Sequence, residues 1–103
     1  GVAFGEAFGA YVDTRADSPT YRGVVTQALT VGVQMLVPPG VGNGFQAVSE
    51  GGCQYFYCFD REWTPDMQGV AVNPVDPALG IPWPIAPTLS DKDANAPMFG
   101  EVR

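Results

Sequence analysis

The sequence predicts an all-β domain, and three observations carry that reading. Thirteen glycines and ten prolines in 103 residues make turns frequent and regular elements short. Between the turns lie brief runs rich in Val, Thr, Tyr and Phe that alternate as strands do. Away from the ends, no window of about ten residues has the 3.6-residue periodicity of a helix. Short strands spaced by turn clusters indicate a sandwich or a barrel.

Gly1 to Asp13 reads as a glycine-interrupted strand with Phe8, Ala10 and Val12 on one face and Tyr11 and Asp13 on the other. The chain starts inside a structured element with no initiator methionine, as a C-terminal portion of a longer protein would. Thr14 to Arg22 is turn chemistry centred on Asp17-Ser18-Pro19, because proline sets φ while Asp and Ser bond nearby amides. Strands are expected from Gly23 to Thr30 and from Val33 to Val37, the latter stopped by Pro38-Pro39-Gly40. Val41-Gly-Asn-Gly-Phe45 reads as a tight corner, since its glycines tolerate positive φ. A phosphate cradle is the sharper reading of that cluster, but the Lys-Ser/Thr partner it requires is missing, which favours a turn.

The densest stretch is Cys53-Gln-Tyr-Phe-Tyr-Cys-Phe-Asp-Arg-Glu-Trp-Thr-Pro65, an aromatic strand that turns charged and ends on proline. Alternation puts Cys53, Tyr55, Tyr57 and Phe59 on one side and Gln54, Phe56, Cys58 and Asp60 on the other. Glu50-Gly51-Gly52 should fold Phe45–Ser49 back onto Gln54–Phe59 as an antiparallel hairpin. Gly69 to Asn73 reads as one more strand, and the proline-rich run Pro74 to Pro87 as an extended wrapping on the outside of the barrel. Ser90-Asp-Lys-Asp93 has the Ser-x-x-acid spacing of a helix start, so a short C-terminal helical turn is expected.

Composition excludes several function classes. A net charge of −6 with five scattered basic residues offers no patch to neutralise duplex phosphates, so nucleic acid is not an expected partner. The apolar runs fall short of the roughly 18 residues that span a bilayer, and no leader pattern is visible; the expectation is a soluble, cytoplasmic protein. Cys53 and Cys58 point to opposite faces of a strand and cannot join each other, which makes them free, buried thiols suited to a reducing compartment. There is no histidine. The residue that most often ligates metal in small barrels, and most often serves as a base near neutrality, is therefore missing.

Taken in order, Val12-Asp13-Thr14-Arg15, Ser18-Pro19-Thr20-Tyr21, Val37-Pro-Pro-Gly-Val-Gly-Asn-Gly-Phe45, Tyr57 to Pro65, Asp76-Pro-Ala-Leu-Gly-Ile-Pro-Trp-Pro84 and Leu89-Ser-Asp-Lys-Asp-Ala-Asn-Ala-Pro97 closely resemble the dTDP-4-dehydrorhamnose 3,5-epimerase family. The resemblance implies a double-stranded β-helix, the cupin-like jelly roll, formed by residues 1–103 as one partial domain, usually dimeric. It implies epimerisation at C3 or C5 of a dTDP-4-keto-6-deoxy sugar without metal or organic cofactor. A base removes the proton α to the ketone, an enolate forms, and an acid returns the proton from the other face.

By this resemblance Tyr57 is the acid, where residue pattern alone makes it one more barrel aromatic. Asp93 is the aspartate that orients the catalytic histidine, where pattern alone makes it a capping carboxylate. Trp63 stands near the substrate at a position usually held by tyrosine, Asn43 at a position held by a second histidine, and Asp13 at a strand end that can face the cavity. Arg15 reads equally as a surface charge, and Lys92 is not the family's enolate-stabilising lysine. That lysine and the histidine base belong upstream of Gly1, on an Arg-Gly-x-His strand in the histidine's case, so the 103 residues alone are expected not to epimerise. The alternative from another class is a catalytically silent jelly-roll module that binds a sugar nucleotide or serves assembly.

Overall fold

The structure, a computed structural model, describes residues 1–58 and 72–99. Among the described residues, five strands and one short helix follow one another: β1 (Val2–Phe4), β2 (Ala7–Asp13), β3 (Val24–Leu29), β4 (Val41–Ala47), β5 (Gln54–Tyr55) and α1 (Asp91–Ala94). They form two antiparallel sheets, a three-stranded one in the order β3-β2-β4 and a two-stranded one of β1 and β5. The first strand of the sequence is indeed broken by glycine. Gly5 sits at φ 78°, a left-handed conformation open to glycine at little cost, and a Cβ there would collide with the Gly52 carbonyl and the Cys53 Cα. This break sends β1 into one sheet and β2 into the other.

β2 is the central strand, and it is covered on both faces. On one side Val12 is buried with Leu79 and Phe99, and Phe8 meets Trp83 edge to face at 5.6 Å. The proline-rich segment does cover this outer face, although not wholly in extended form. Turns closed by Asp76 N–H to Asn73 O and Leu79 N–H to Asp76 O come first, with the Trp83 indole N–H donating to Pro74 O at 2.9 Å. The buried Asp76 carboxylate accepts from the Phe99 and Ala78 amides at 2.6 and 2.9 Å. These donors hold its carboxyl below the ordinary range and tie the C-terminal segment to the turn.

On the other face the register aligns Tyr11 with Asn43 and Gly9 with Phe45. Tyr11 is 5% exposed. A Cβ on Gly9 would lie 2.5 Å from the Tyr11 hydroxyl and 3.1 Å from a Leu29 methyl, so the missing side chain at position 9 is what makes room for the phenol. A second cluster, Val2, Ala7 and Leu29 with Val33, Met35, Cys53 and Tyr55 packed on it, joins the small sheet to the large one.

Several sequence expectations need correction. Val41 to Phe45 is a strand rather than a corner: only Gly40 has positive φ, at 84°, while Gly42 and Gly44 keep ordinary strand geometry and pair with Val12 and Ala10. Phe45–Ser49 and Gln54–Cys58 do not pair with each other, because β4 bonds to β2 and β5 to β1, while Phe59, the last residue of that expected strand, lies outside the described residues. The turn between them is real, closed by Gly52 N–H to Ser49 O at 2.9 Å, but it carries the chain from one sheet to the other. Val33 to Val37 keeps its alternation, with Val33 and Met35 half-buried and Leu36 95% exposed, yet it forms no ladder; a periodic pattern supplies a face but not a pairing partner. Val72 and Asn73 are not in a strand, and the rest of that predicted element lies outside the described residues. Both cysteines are free, but Cys53 is only half-buried and Cys58 is exposed.

Gly9→Ala is expected to destabilise the chain by about 1–3 kcal/mol through overpacking. Tyr11→Phe alone should unfold no more easily than the parent chain, because the hydroxyl it removes is buried without a well-formed hydrogen bond. Combined with Gly9→Ala, it should recover part of the loss, and urea denaturation of the four proteins reads this coupling.

Candidate active site

The inner face of β4 carries Val41, Asn43, Phe45 and Ala47, because alternate strand residues share a side. Across the gap between the sheets, Tyr55 from β5 lies flat on Phe45, with ring centroids 3.8 Å apart and planes 7° from parallel. Tyr57 leans on Tyr55 at 5.2 Å and 60°. The strand alternation that groups Tyr55 with Tyr57 thus places both phenols on the inner side, with Asn43 and Tyr11 on the same face of the larger sheet. The Tyr11 hydroxyl has no partner in good hydrogen-bond geometry, and the Tyr55 phenol lies close enough to perturb it.

Three phenols are thereby gathered in one place, and all resist ionisation. Burial, followed by the neighbouring Tyr11, pushes Tyr55 up to about 12. Tyr57, although 56% exposed, is raised first by partial burial, then by Tyr55 and then by Asp93. The last contribution is informative, since it puts Asp93 within electrostatic reach of Tyr57 although the two are far apart in the chain. Asp93 is held by the C-terminal helical turn, where the Ser90 hydroxyl caps α1 by accepting from the Asp93 amide at 3.2 Å. A cleft of about 360 Å³ runs along β4 from Gly44 to Ala47 and is closed by Trp83, Ile85 and Asp93. At its wall the Gln46 side chain pairs with the Ile85 backbone in both directions, donating to the carbonyl at 2.9 Å and accepting from the amide at 3.3 Å.

On the inner face of β2, beside Tyr11 at a second cavity that both line, stands Asp13. Its carboxylate accepts from the Arg15 amide and guanidinium at 2.9, 2.9 and 3.0 Å, from the Ser18 hydroxyl at 2.6 Å and from the Thr20 hydroxyl at 2.5 Å. Arg15, then Ser18 and Thr20, hold the carboxyl far below the usual carboxylate range. In this geometry Asp13 knots the 14–22 turn to the end of β2, and Arg15 lies across Gly40. Trp63 lies outside the described residues. Among the described residues there is no cluster of three or more Asp, Glu or Cys placed to hold a metal ion and no helix long and apolar enough to cross a membrane.

The dTDP-4-dehydrorhamnose 3,5-epimerase family model matches residues 1–101. This chain belongs to that family. The Salmonella typhimurium dTDP-4-dehydrorhamnose 3,5-epimerase is 35% identical, over 97% of this chain and 56% of that protein. A Streptococcus pyogenes protein described as an RmlC homolog is 36% identical, over 96% of this chain and 51% of its own length. The crystal structure of the Legionella pneumophila epimerase with dTDP-4-keto-L-rhamnose superposes with a TM-score of 0.74 at 29% identity, covering 97% of this chain and 54% of that one. The chain therefore spans about half the length of the relatives it matches. The likeness confirms the all-β, cupin-like jelly-roll fold that the epimerase resemblance implied.

Within this epimerase half-fold, Tyr57 and Asn43 lie on the inner side, Asp93 lines the cleft along β4 with Trp83 and Ile85, and Asp13 lines the second cavity with its carboxylate engaged by its own turn. Sequence reasoning missed Phe45 as a site residue because it read the strand as a corner. The signal that could have found it was alternation, with bulky side chains at 41, 43 and 45 and glycine at 42 and 44.

The depressed Asp13 carboxyl sets a pH prediction. An unfolded aspartate titrates near ~3.9, so the stability this group contributes is complete above about pH 5 and is lost as the pH falls toward and below the folded value. Asp13→Asn should flatten the fall in stability between about pH 5 and 3 seen in urea titrations of the parent chain. An equally steep fall in the variant would remove Asp13 as its source.

Proposed function

We propose that this chain is the acid-bearing portion of a dTDP-4-dehydrorhamnose 3,5-epimerase, acting on C3 and C5 of a dTDP-4-keto-6-deoxy sugar. The observation that carries the reading is the placement of Tyr57 on the inner aromatic face with Asp93 in electrostatic reach, within a chain that matches the family model over nearly its whole length. Relatives acting on or crystallised with dTDP-sugars support the substrate class.

A ketone flanked by C–H bonds needs one group to take the α proton and another to return it on the opposite face. Tyr57 suits the second role, because a phenol held above its ordinary ionisation range stays protonated at neutral pH and delivers its proton to the enolate carbon. The resulting phenolate is reprotonated from solvent. Asp93 suits the support of a base, as a carboxylate that accepts a hydrogen bond from an imidazole N–H and stabilises the imidazolium formed on proton abstraction. With no histidine in the chain, that base is supplied from outside these residues. Asn43 can hydrogen-bond substrate without titrating near neutrality, and Trp63 is read as an aromatic wall beside the sugar nucleotide. Asp13 is assigned an indirect part, holding Arg15 and the 14–22 turn at the rim. Residues 1–103 are read as a single, partial jelly-roll domain of a cytoplasmic homodimer, with no metal or organic cofactor in the reaction.

Calorimetric titration with dTDP is expected to give saturable binding, while incubation with dTDP-4-keto-6-deoxyglucose in deuterium oxide leaves C3 and C5 unlabelled. Free imidazole at high concentration should restore slow epimerisation, and Tyr57→Phe should lower the restored rate by about 10²–10⁴. Failure to bind dTDP would overturn the reading, as would deuterium incorporation by the isolated chain without added base.

A further inference from the structure

The role proposed for Asp93 requires its carboxylate to stay at the cleft along β4, yet the residue stands on a helix of a single turn. α1 buries none of its residues, and a helix this short is marginal on its own in water. Its internal bonds are the Ser90 cap, Ala94 N–H to Ser90 O at 2.9 Å, Asn95 N–H to Asp91 O at 3.0 Å and Ala96 N–H to Asp93 O at 3.2 Å. These shape the turn, and bonds from elsewhere in the fold place it.

Asn73 supplies two such bonds. Its side-chain amide donates to the Ala94 carbonyl at 3.3 Å, one residue past Asp93, and its backbone amide donates to Pro97 O at 2.9 Å. Asn73 is 5% exposed, and its direction is set, because its side-chain oxygen accepts from the Val75 amide at 3.0 Å and its carbonyl from the Asp76 amide at 3.2 Å. A carboxamide suits this place, since it offers an acceptor to its own turn and a donor to α1 at once. The same turn leads to Leu79, buried with Val12 and Phe99, so Asn73 refers α1 to the outer face of β2.

Gln46 acts from β4. Its side chain pairs with the Ile85 backbone in both directions, as a neighbouring strand would, where the stretch from Ile85 to Leu89 begins to line the cleft on its way to α1. The segment that carries Asp93 is thus held at Ile85 by one carboxamide and at Ala94 by another. We propose that Asn73 and Gln46 are positioning residues for Asp93, clamping the segment from Ile85 to Ala94 so that the Asp93 carboxylate stays at the cleft along β4. Only the consequence for catalysis rests on the reading of Asp93 as support for a base.

The test uses the isotope-labelled 103-residue chain and two isosteric variants. Asn73→Asp keeps the acceptor for Val75 and loses the donor to Ala94, while Gln46→Glu keeps the acceptor for the Ile85 amide and loses the donor to its carbonyl. Backbone order parameters of residues 91–95 should be about 0.85 in the parent, as in rigid backbone, and fall toward about 0.6 in Asn73→Asp while those of β2 hold. Those of Ile85 and its neighbours should fall in Gln46→Glu. Acidification through about pH 4.3, where the introduced carboxyl regains a proton and becomes a donor, should return the Gln46→Glu chain toward the parent's values at the same pH. Added imidazole should shift the Asp93 carboxyl-carbon resonance saturably in the parent, and each variant should need about 2–10-fold more of it for half the shift, the span of one lost hydrogen bond.

Gln46→Glu, at a half-buried site, decides the question if Asn73→Asp does not fold. Low order at 91–95 in the parent, unchanged order and imidazole response in either folded variant, or no recovery of Gln46→Glu in acid would each overturn the proposal. An Asp93 resonance that ignores imidazole in the parent, while order falls in both variants, leaves the positioning role standing and fails the base-support reading alone.

Discussion

A central strand with both faces buried imposes a strict condition, because every one of its side chains must be matched from one side or the other while its backbone is paired along both edges. β2 meets that condition. Its hydrogen bonds run to β3 and β4, its outer residues Phe8 and Val12 are covered by Trp83, Leu79 and Phe99, and its inner residues Ala7, Tyr11 and Asp13 are buried. Small residues make this possible. Ala7, Gly9 and Ala10 leave volume that larger neighbours fill, so interior density is reached by alternating sizes rather than by uniformly large side chains. Both groups of residues assigned functional roles hang from this strand: the aromatic face through the Gly9–Phe45 pairing, and the Asp13 knot at its end.

The polar groups divide by how fully they are satisfied. Asp13 and Asp76 are buried carboxylates surrounded by donors, and such fully paired groups hold turns in place. The inner face is different, since the Tyr11 hydroxyl lacks a well-formed partner and Tyr55 and Tyr57 are both pushed toward the neutral phenol. A cluster of phenols that do not readily ionise keeps its hydroxyl protons at neutral pH. The fully paired carboxylates and the phenol cluster thus reside at separate places along one strand pair.

Much of the fold was legible in the residues. The all-β class followed from turn density and alternation, the Gly5 interruption from a glycine inside an apolar run, and the Ser90 cap from its spacing to Asp93. Errors arose where a local pattern admits two geometries. Val-Gly-Asn-Gly-Phe supports either a corner or a strand, and the ladder to β2 selected the strand because its glycines face Val12 and Ala10 across the sheet. The expected hairpin failed for a related reason: a turn fixes where the chain reverses but not which neighbour its strands meet, and here each arm found a partner from a distant part of the chain. In the candidate site, Tyr57, Asp93 and Asn43 came from the family resemblance, and spacing alone could not have linked them.

The sequence by itself determined the strand class, the positions of the main turns, the faces of the β2 and β5 side chains, and the want of any histidine base. These are local matters of glycine and proline geometry, side-chain alternation and composition. Only the tertiary structure decided that Phe45 would stack on Tyr55, that Tyr11 would occupy the space left at Gly9, and that Asp93 would line the cleft along β4. Such contacts join residues far apart in the chain, and they arise when the sheets pack against one another and distant segments close over them. No period or motif encodes that closure, which is why the cluster of residues 53 to 58 was conspicuous in the sequence while the partners that orient it were not.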